Sequence, residues 1–188
     1  MSLEQMKAKL IDKYGVVVVV VVDDVELAQI AAVRRDGYAI KSMDNPSEAV
    51  QLAAVSVDCY SIKFIKNPSE AVQLAAVADG YAIEYIKNPS EAVQLAAVTE
   101  TSCAIEYIKN PSEAVQLAAV SVDCWVIEYI DNPSEAVQLF AVTGTDGWCI
   151  KYVTNPSEVA KEKVLSLAID DIDLYNTISQ LDWFKELS

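Results

Sequence analysis

Asn45-Pro46-Ser47-Glu48-Ala49-Val50-Gln51-Leu52-Ala53-Ala54-Val55 recurs unchanged at Asn67–Val77, Asn88–Val98 and Asn110–Val120. Asn132–Val142 differs from it at one place, Phe140 for Ala. A further copy opens at Asn155 and diverges after Glu158, and Asp23–Val33 retains Glu26, Gln29 and Ala31-Ala32-Val33. Successive starts lie 22, 22, 21, 22, 22 and 23 residues apart. A near-constant period of this length marks an array in which each unit buries its apolar face against its neighbours.

Each copy carries helix-start chemistry. Asn45 reads as an N-cap, with Pro46 at the first helical position, where a missing N–H costs nothing. Glu48, three residues on, has the spacing of a capping box. The same reading applies to Asn67, Asn88, Asn110 and Asn132. Between Ala49 and Val55 only Gln51 is polar, so the predicted helix is apolar nearly all round and buried. Leu74 and Leu95 are expected to be buried between layers, with Leu95→Ala costing on the order of 2–5 kcal/mol and Gln94→Ala, at the sole polar position, far less.

After each copy comes a turn, marked by Asp36-Gly37, Asp58-Cys59, Asp79-Gly80, Asp123-Cys124 and Asp146-Gly147. Asp and Gly supply local hydrogen bonds and a permissive backbone there. A short apolar segment follows, such as Tyr81-Ala82-Ile83-Glu84-Tyr85-Ile86. Ile40, Ile62, Ile83, Ile105, Ile127 and Ile150 form one column. Phe64, Tyr85, Tyr107, Tyr129 and Tyr152 form a second, and Tyr38, Tyr60, Tyr81, Trp125 and Trp148 a third. The spacing predicts a second short helix in preference to a strand, which the β-branched and aromatic residues also allow. The aromatic columns read as inter-repeat core, with an aromatic binding stripe as the alternative.

At the N-terminus, Ser2–Lys13 reads as an amphipathic capping helix. The Val16–Val22 run takes the place of a second segment, helical by register and strand-like by composition. Seven apolar residues are too few to cross a bilayer, and Asp12 and Asp23-Asp24 do not fit a signal peptide. Toward the C-terminus, Pro156–Ile169 predicts a longer helix. Ile172, Tyr175, Ile178, Leu181, Phe184 and Leu187, three apart, predict another that closes the array; a partner-binding helix is the alternative reading of it.

The chain has 14 basic and 28 acidic residues, a formal charge of −14. From Asn110 onward there are 4 basic against 13 acidic residues. This argues against binding nucleic-acid backbones or anionic membranes, both of which call for Lys and Arg.

There is no His, which removes the usual general base and the commonest metal ligand. Cys59, Cys103, Cys124 and Cys149 form no Cys-x-x-Cys and read as thiols in a reducing compartment. No catalytic, cofactor-binding or metal-binding residue is predicted. Glu84, Glu106 and Glu128 share a column with Lys41, Lys63 and Lys151 and read as a solvated face, with a cation-binding carboxylate ladder as the alternative; Lys66, Lys87 and Lys109 read as a solvated row too. A glycosidase-like pair among the three glutamates is the enzymatic alternative, but equivalent positions give equivalent environments, whereas an acid and a base need different ones. The turns vary most between copies. Variable loops on a constant solenoid are the usual recognition edge, which makes Arg34, Arg35, Val57, Glu100, Val122 and Thr145 the candidate partner-binding residues.

The run Ala-Ala-Val, then Asp-Gly-Tyr-Ala-Ile-x-Tyr-Ile, then Asn-Pro-Ser-Glu resembles the tandem helical repeats of domain-of-unknown-function family 4116, found in bacteria and viruses. The resemblance covers roughly residues 23–158. It implies a helical repeat and lends no activity.

These readings predict an all-α solenoid of helix-turn-helix repeats of about 22 residues, with an N-terminal unit at 1–22, repeats at 23–154 and C-terminal capping helices at 155–188. The expected function is a non-enzymatic scaffold for a protein partner, bacterial or phage-derived and cytoplasmic, without cofactor. The alternative is an acidic nucleic-acid mimic that inhibits a DNA-binding protein.

Overall fold

A computed structural model describes residues 24–186. The helix expected at Ser2–Lys13 and the Val16–Val22 run, and with them the 1–22 unit, lie outside the described residues. Within them the chain is an all-α solenoid whose α-helices alternate with 3-10 helices. The order is α1 (Asp24–Arg35), η1 (Gly37–Ser42), α2 (Glu48–Val57), η2 (Cys59–Phe64), α3 (Glu70–Ala76), η3 (Gly80–Tyr85), α4 (Glu91–Glu100) and η4 (Ser102–Tyr107). Then come α5 (Glu113–Val122), η5 (Cys124–Tyr129), α6 (Glu135–Thr143), η6 (Trp148–Tyr152), α7 (Glu158–Ala168), α8 (Ile172–Ile178) and α9 (Asp182–Lys185). Each α-helix packs on the next α-helix, and each η on the next η, so the array has an α layer and an η layer.

In the repeats whose α-helix ends at Arg35, Val57, Glu100 and Val122, one residue joins the α-helix to its η helix. The Asp58 N–H donates to the Ala54 carbonyl and ends α2, while its carboxylate accepts from the Tyr60 N–H and starts η2. Asp36, with Tyr38, and Asp123, with Trp125, repeat this double cap. Each η helix from η2 to η5 buries an isoleucine, and the isoleucine three residues on, which caps its C-terminal end, is buried on the same side. Ile62 and Ile65, Ile83 and Ile86, Ile105 and Ile108, and Ile127 and Ile130 are all buried. Side chains at i and i+3 eclipse in a 3-10 helix and line one face.

The α-helix start differs from the sequence expectation. The N-cap is the serine, not the asparagine: Ser47, Ser69, Ser90, Ser112, Ser134 and Ser157 each accept from the backbone N–H three residues on. Asn45, Asn67, Asn88, Asn110, Asn132 and Asn155 instead adopt positive φ, from 48° to 56°. Asn is among the few residues that tolerate this left-handed region, and here it turns the chain out of the η layer. Pro lies just outside the helix. Its carbonyl accepts from the glutamine side chain five residues on, at 2.8 Å for Gln51 and 3.0 Å for Gln73, Gln94 and Gln116. Gln94 thus latches across the helix start.

The first glutamate of the helix does not close a capping box. It accepts from the N-cap serine of the next repeat: Ser47 donates to Glu26, Ser69 to Glu48, Ser90 to Glu70 and Ser112 to Glu91. Among the described residues Ser134 makes no such bond to Glu113, and at the last interface the Ser157 N–H donates instead to Gln138 Oε1 at 2.7 Å.

The buried residues of the α layer are valines and alanines. Val50, Val72, Val93, Val115 and Val137 are inaccessible, as are Ala54, Ala76, Ala97 and Ala119. Contrary to expectation, Leu74 is 40% exposed and Leu95 is only half-buried. Small residues at the contact let the helices approach closely. Gly80 shows how closely: a Cβ there would lie 2.5 Å from the Ala97 carbonyl oxygen of the next repeat. The spacing of 21 between Asn67 and Asn88 is absorbed in α3, which ends at Ala76 and is the shortest α-helix of the repeats. Register downstream is kept.

At the C-terminus, α8 packs against α7 and η6. Its buried residues are Leu174 and Ile178, four apart. Ile178 belongs to the three-apart row, as do Leu181 and Phe184, which pack against the core, whereas Leu174 lies outside it. Ile172 is 69% exposed, and the row is interrupted between α8 and α9 at Ser179–Leu181.

Two stability measurements check this packing. Ile105→Ala, on a side chain 1% exposed, is expected to cost about 2–5 kcal/mol in chemical denaturation, and Leu74→Ala clearly less. Equal losses would contradict the assigned core. Asn88→Gly is expected to be tolerated, whereas Asn88→Val, at φ 51°, is expected to cost about 1–2 kcal/mol.

Candidate functional site

The outward face of the η layer is built from three positions of each short helix. The second and sixth are aromatic in most repeats, and the fifth is charged. Rings pair edge-to-face across repeats: Tyr38 with Phe64 at 5.4 Å, Tyr60 with Tyr85 at 6.0 Å and Tyr81 with Tyr107 at 6.3 Å. In each pair the second residue of one η meets the sixth of the next. Trp125 and Tyr129 pair within η5 at 5.6 Å. These rings are not the interior core that the columns suggested. Tyr81, Tyr85, Tyr107 and Tyr129 keep 38–40% of their surface in solvent, because the isoleucine column already fills the interior of the η layer. Each ring therefore packs on its neighbour and stays open on its outer side.

The charged column runs along this row, and its members are exposed. At its start, Lys63 Nζ lies 4.7 Å from the Tyr38 ring centroid, 5.1 Å from Phe64 and 5.9 Å from Tyr85. An ammonium over ring faces is attracted by their quadrupoles. From the next repeat onward the charge inverts to Glu84, Glu106 and Glu128. Among the described residues these three carboxylates form no ion pair; the pairs present are Lys161 with Glu158 and Lys185 with Asp182. Their field is felt by the phenols. Glu84 raises the Tyr85 pKa and Glu106 that of Tyr107. Tyr129 is raised by desolvation and then by Glu128.

Clefts recur beside the row. One of about 600 Å³ is lined by Glu84, Tyr107, Lys87, Lys109 and the Asn88-Pro89 turn. Its counterpart one repeat on, about 550 Å³, is lined by Glu106, Tyr129, Lys109 and the Asn110-Pro111 turn. A separate apolar cleft of about 880 Å³ lies on the C-terminal cap, among Leu165, Ile169, Ile172, Tyr175 and Phe184. Among the described residues, no group of three or more His, Cys, Asp or Glu is placed to hold a metal ion.

The turn residues expected to bind a partner fall into two sets. Arg35, Val57, Glu100 and Val122 are each the last residue of an α-helix. All four are exposed, as is Arg34. They occupy equivalent places along one edge. Thr145 is different: its hydroxyl donates to the Ala141 carbonyl at 2.9 Å and accepts from the Cys149 N–H at 3.3 Å, so it braces the turn into η6. The cysteine expectation is also corrected. Cys59 and Cys103 are free, but Cys124 and Cys149 form a disulfide. Stacking of η5 on η6 brings their Cα atoms to 6.1 Å, within bonding range. No sequence spacing announces this, since the two occupy different places in their repeats.

No family model, curated protein or solved structure matches this chain.

The acidic field on the phenols gives a titration. The Glu106 carboxylate opposes ionisation of Tyr107 in the folded chain and raises its pKa. Glu106→Gln is expected to lower that pKa toward the ordinary value near ~10, read by NMR of ring-labelled tyrosine. A phenol whose folded pKa is raised keeps its contribution to stability below its unfolded pKa and loses it as pH rises through the folded value. The wild type is therefore expected to weaken above about pH 10, and Glu106→Gln less steeply. An unmoved Tyr107 titration would contradict the assigned field.

Proposed function

We propose that this chain is a non-enzymatic repeat scaffold that binds a protein partner, of the bacterial and phage kind implied by its resemblance to domain-of-unknown-function family 4116. The observation that carries the reading is the row of half-exposed rings crossing successive repeats. Aromatic side chains that are rigid, half-open and held at a fixed spacing supply contact area at low entropic cost. The glutamates beside them recur in equivalent settings, and paired acid and base catalysts need unequal ones. The acidic-mimic reading is favoured by one feature, the regular spacing of Glu84, Glu106 and Glu128. The rings beside those carboxylates favour a protein ligand.

Among the described residues no helix is long and apolar enough to cross a membrane. A cytoplasmic location and the Cys124–Cys149 bond pull in opposite directions, because such bonds persist in oxidising compartments. Non-reducing electrophoresis of thiol-blocked lysate decides between them.

The test of function is a quantitative pull-down at low and high salt with the wild type and a Tyr85→Ser/Tyr107→Ser/Tyr129→Ser variant. A partner kept by the wild type at high salt and lost by the variant is the expected result. Capture confined to DNA-binding proteins, lost at high salt and unaffected by the variant, would favour the mimic, since exposed charge contacts are screened.

A further inference from the structure

The first repeats show what the ring row accepts. Lys63, from the charged column, sits with its ammonium within 6 Å of three ring centroids contributed by successive repeats. The following repeats keep the rings and put a carboxylate where the column cation stood; Tyr85, at the boundary, still has Lys63 Nζ at 5.9 Å. Tyr81 and Tyr107 still pair across the repeat boundary, and Tyr85 and Tyr129 stay open to solvent. The column residue is now Glu84, Glu106 or Glu128, exposed and without an ion pair among the described residues. A carboxylate beside ring faces attracts a cation through both groups, by charge and by quadrupole. The raised phenol pKa values at Tyr85 and Tyr107 report the same negative field.

We propose that the steps Glu84–Tyr85, Glu106–Tyr107 and Glu128–Tyr129 bind an extended cationic peptide, one Lys or Arg side chain per repeat. The proposal rests on the scaffold reading and names the chemistry of its partner. The spacing follows from the stacking. Packed helices lie about 8–10 Å apart, and stacked repeats are expected to hold equivalent positions at about that separation. A polyproline II chain rises about 3.1 Å per residue with three residues per turn, so every third side chain returns to the same side after about 9 Å. The matching partner carries Lys or Arg at i, i+3 and i+6. Lys87 and Lys109 line the neighbouring clefts, so the seat for each cation is the ring and carboxylate step and not the cleft as a whole. Lys63 and Lys151 bound the acidic steps and set the number of seats at three.

The test uses the full chain and fluorescein-labelled (Arg-Pro-Pro)4, read by anisotropy. Binding is expected, and raised salt is expected to weaken it without abolishing it, because the exposed charge contacts are screened and the ring contacts are kept. Glu84→Gln/Glu106→Gln/Glu128→Gln is expected to weaken it about tenfold, as three exposed charge contacts would, with circular dichroism and melting unchanged. Glu106→Lys places the chain's own cation in the middle seat and is expected to reduce binding further than Glu106→Gln. The proposal is overturned if the triple Gln variant binds like the wild type. It is equally overturned if (Glu-Pro-Pro)4, or an isomer with its four arginines adjacent, binds as tightly as (Arg-Pro-Pro)4. Suppose the arginine peptide fails while the pull-down partner is still lost by the tyrosine variant. Then the cationic assignment falls and the scaffold reading stands; failure of both experiments removes both.

Discussion

A serine hydroxyl facing two ways is the joint on which the array depends. Its oxygen accepts from the N–H three residues on and caps its own helix. Its hydrogen goes to the glutamate that opens the preceding helix. The first use fixes where the helix begins, and the second fixes where it sits relative to its neighbour. A hydroxyl can do both because it has one donor and two acceptor lone pairs. Each glutamate in turn lies near the positive end of its own helix dipole. Local structure and stacking are thus set by the same short segment, which is why four identical copies can propagate one geometry.

Within the repeats the existence and phase of the elements were legible because the repeat writes them out several times. Each apolar segment and each Asp turn recurs at the same phase, and periodicity averages out local ambiguity. The helix start was misread for a specific reason. Asn-Pro and Ser-Glu are both helix-opening pairs, and propensity alone does not say which is used. The geometry favours serine because the chain must reverse direction between the layers, and Asn supplies the left-handed residue for that turn. The burial of Leu74 was misjudged for a related reason. A helix apolar all round has no polar face to orient it, and closeness of approach then selects Val and Ala for the contact over the larger Leu. Phe140 replaces Ala and stays 45% exposed, which is tolerated because that position points away from the contact.

The candidate site was half legible. Its columns and charges can be read directly from the spacing. Which side of the short helix they occupy cannot, because six residues fit an α-helix, a 3-10 helix or a strand. In the 3-10 form the isoleucines three apart take the interior, and the rings are left outside. The turn residues were placed on an exposed edge correctly in five cases. Thr145 was not, since a threonine near a turn serves equally as a brace through its hydroxyl.

The division of labour within a repeat bears on function. The Asn-Pro-Ser-Glu turn and the α-helix are nearly invariant between copies because their groups bond to the next copy, so a change in one must fit both neighbours. The η face carries no such constraint on its outer side. Rings there need only a ring to pack on, and the charge beside them can take either sign without disturbing the stack. Lys41 and Lys63 give way to Glu84, Glu106 and Glu128, and then to Lys151, on an unchanged frame. The α layer thus fixes the spacing, and the η face sets what is presented at that spacing. A charge pattern that varies where the fold is indifferent to it, beside rings that the fold leaves open, is where this molecule has room to encode a partner.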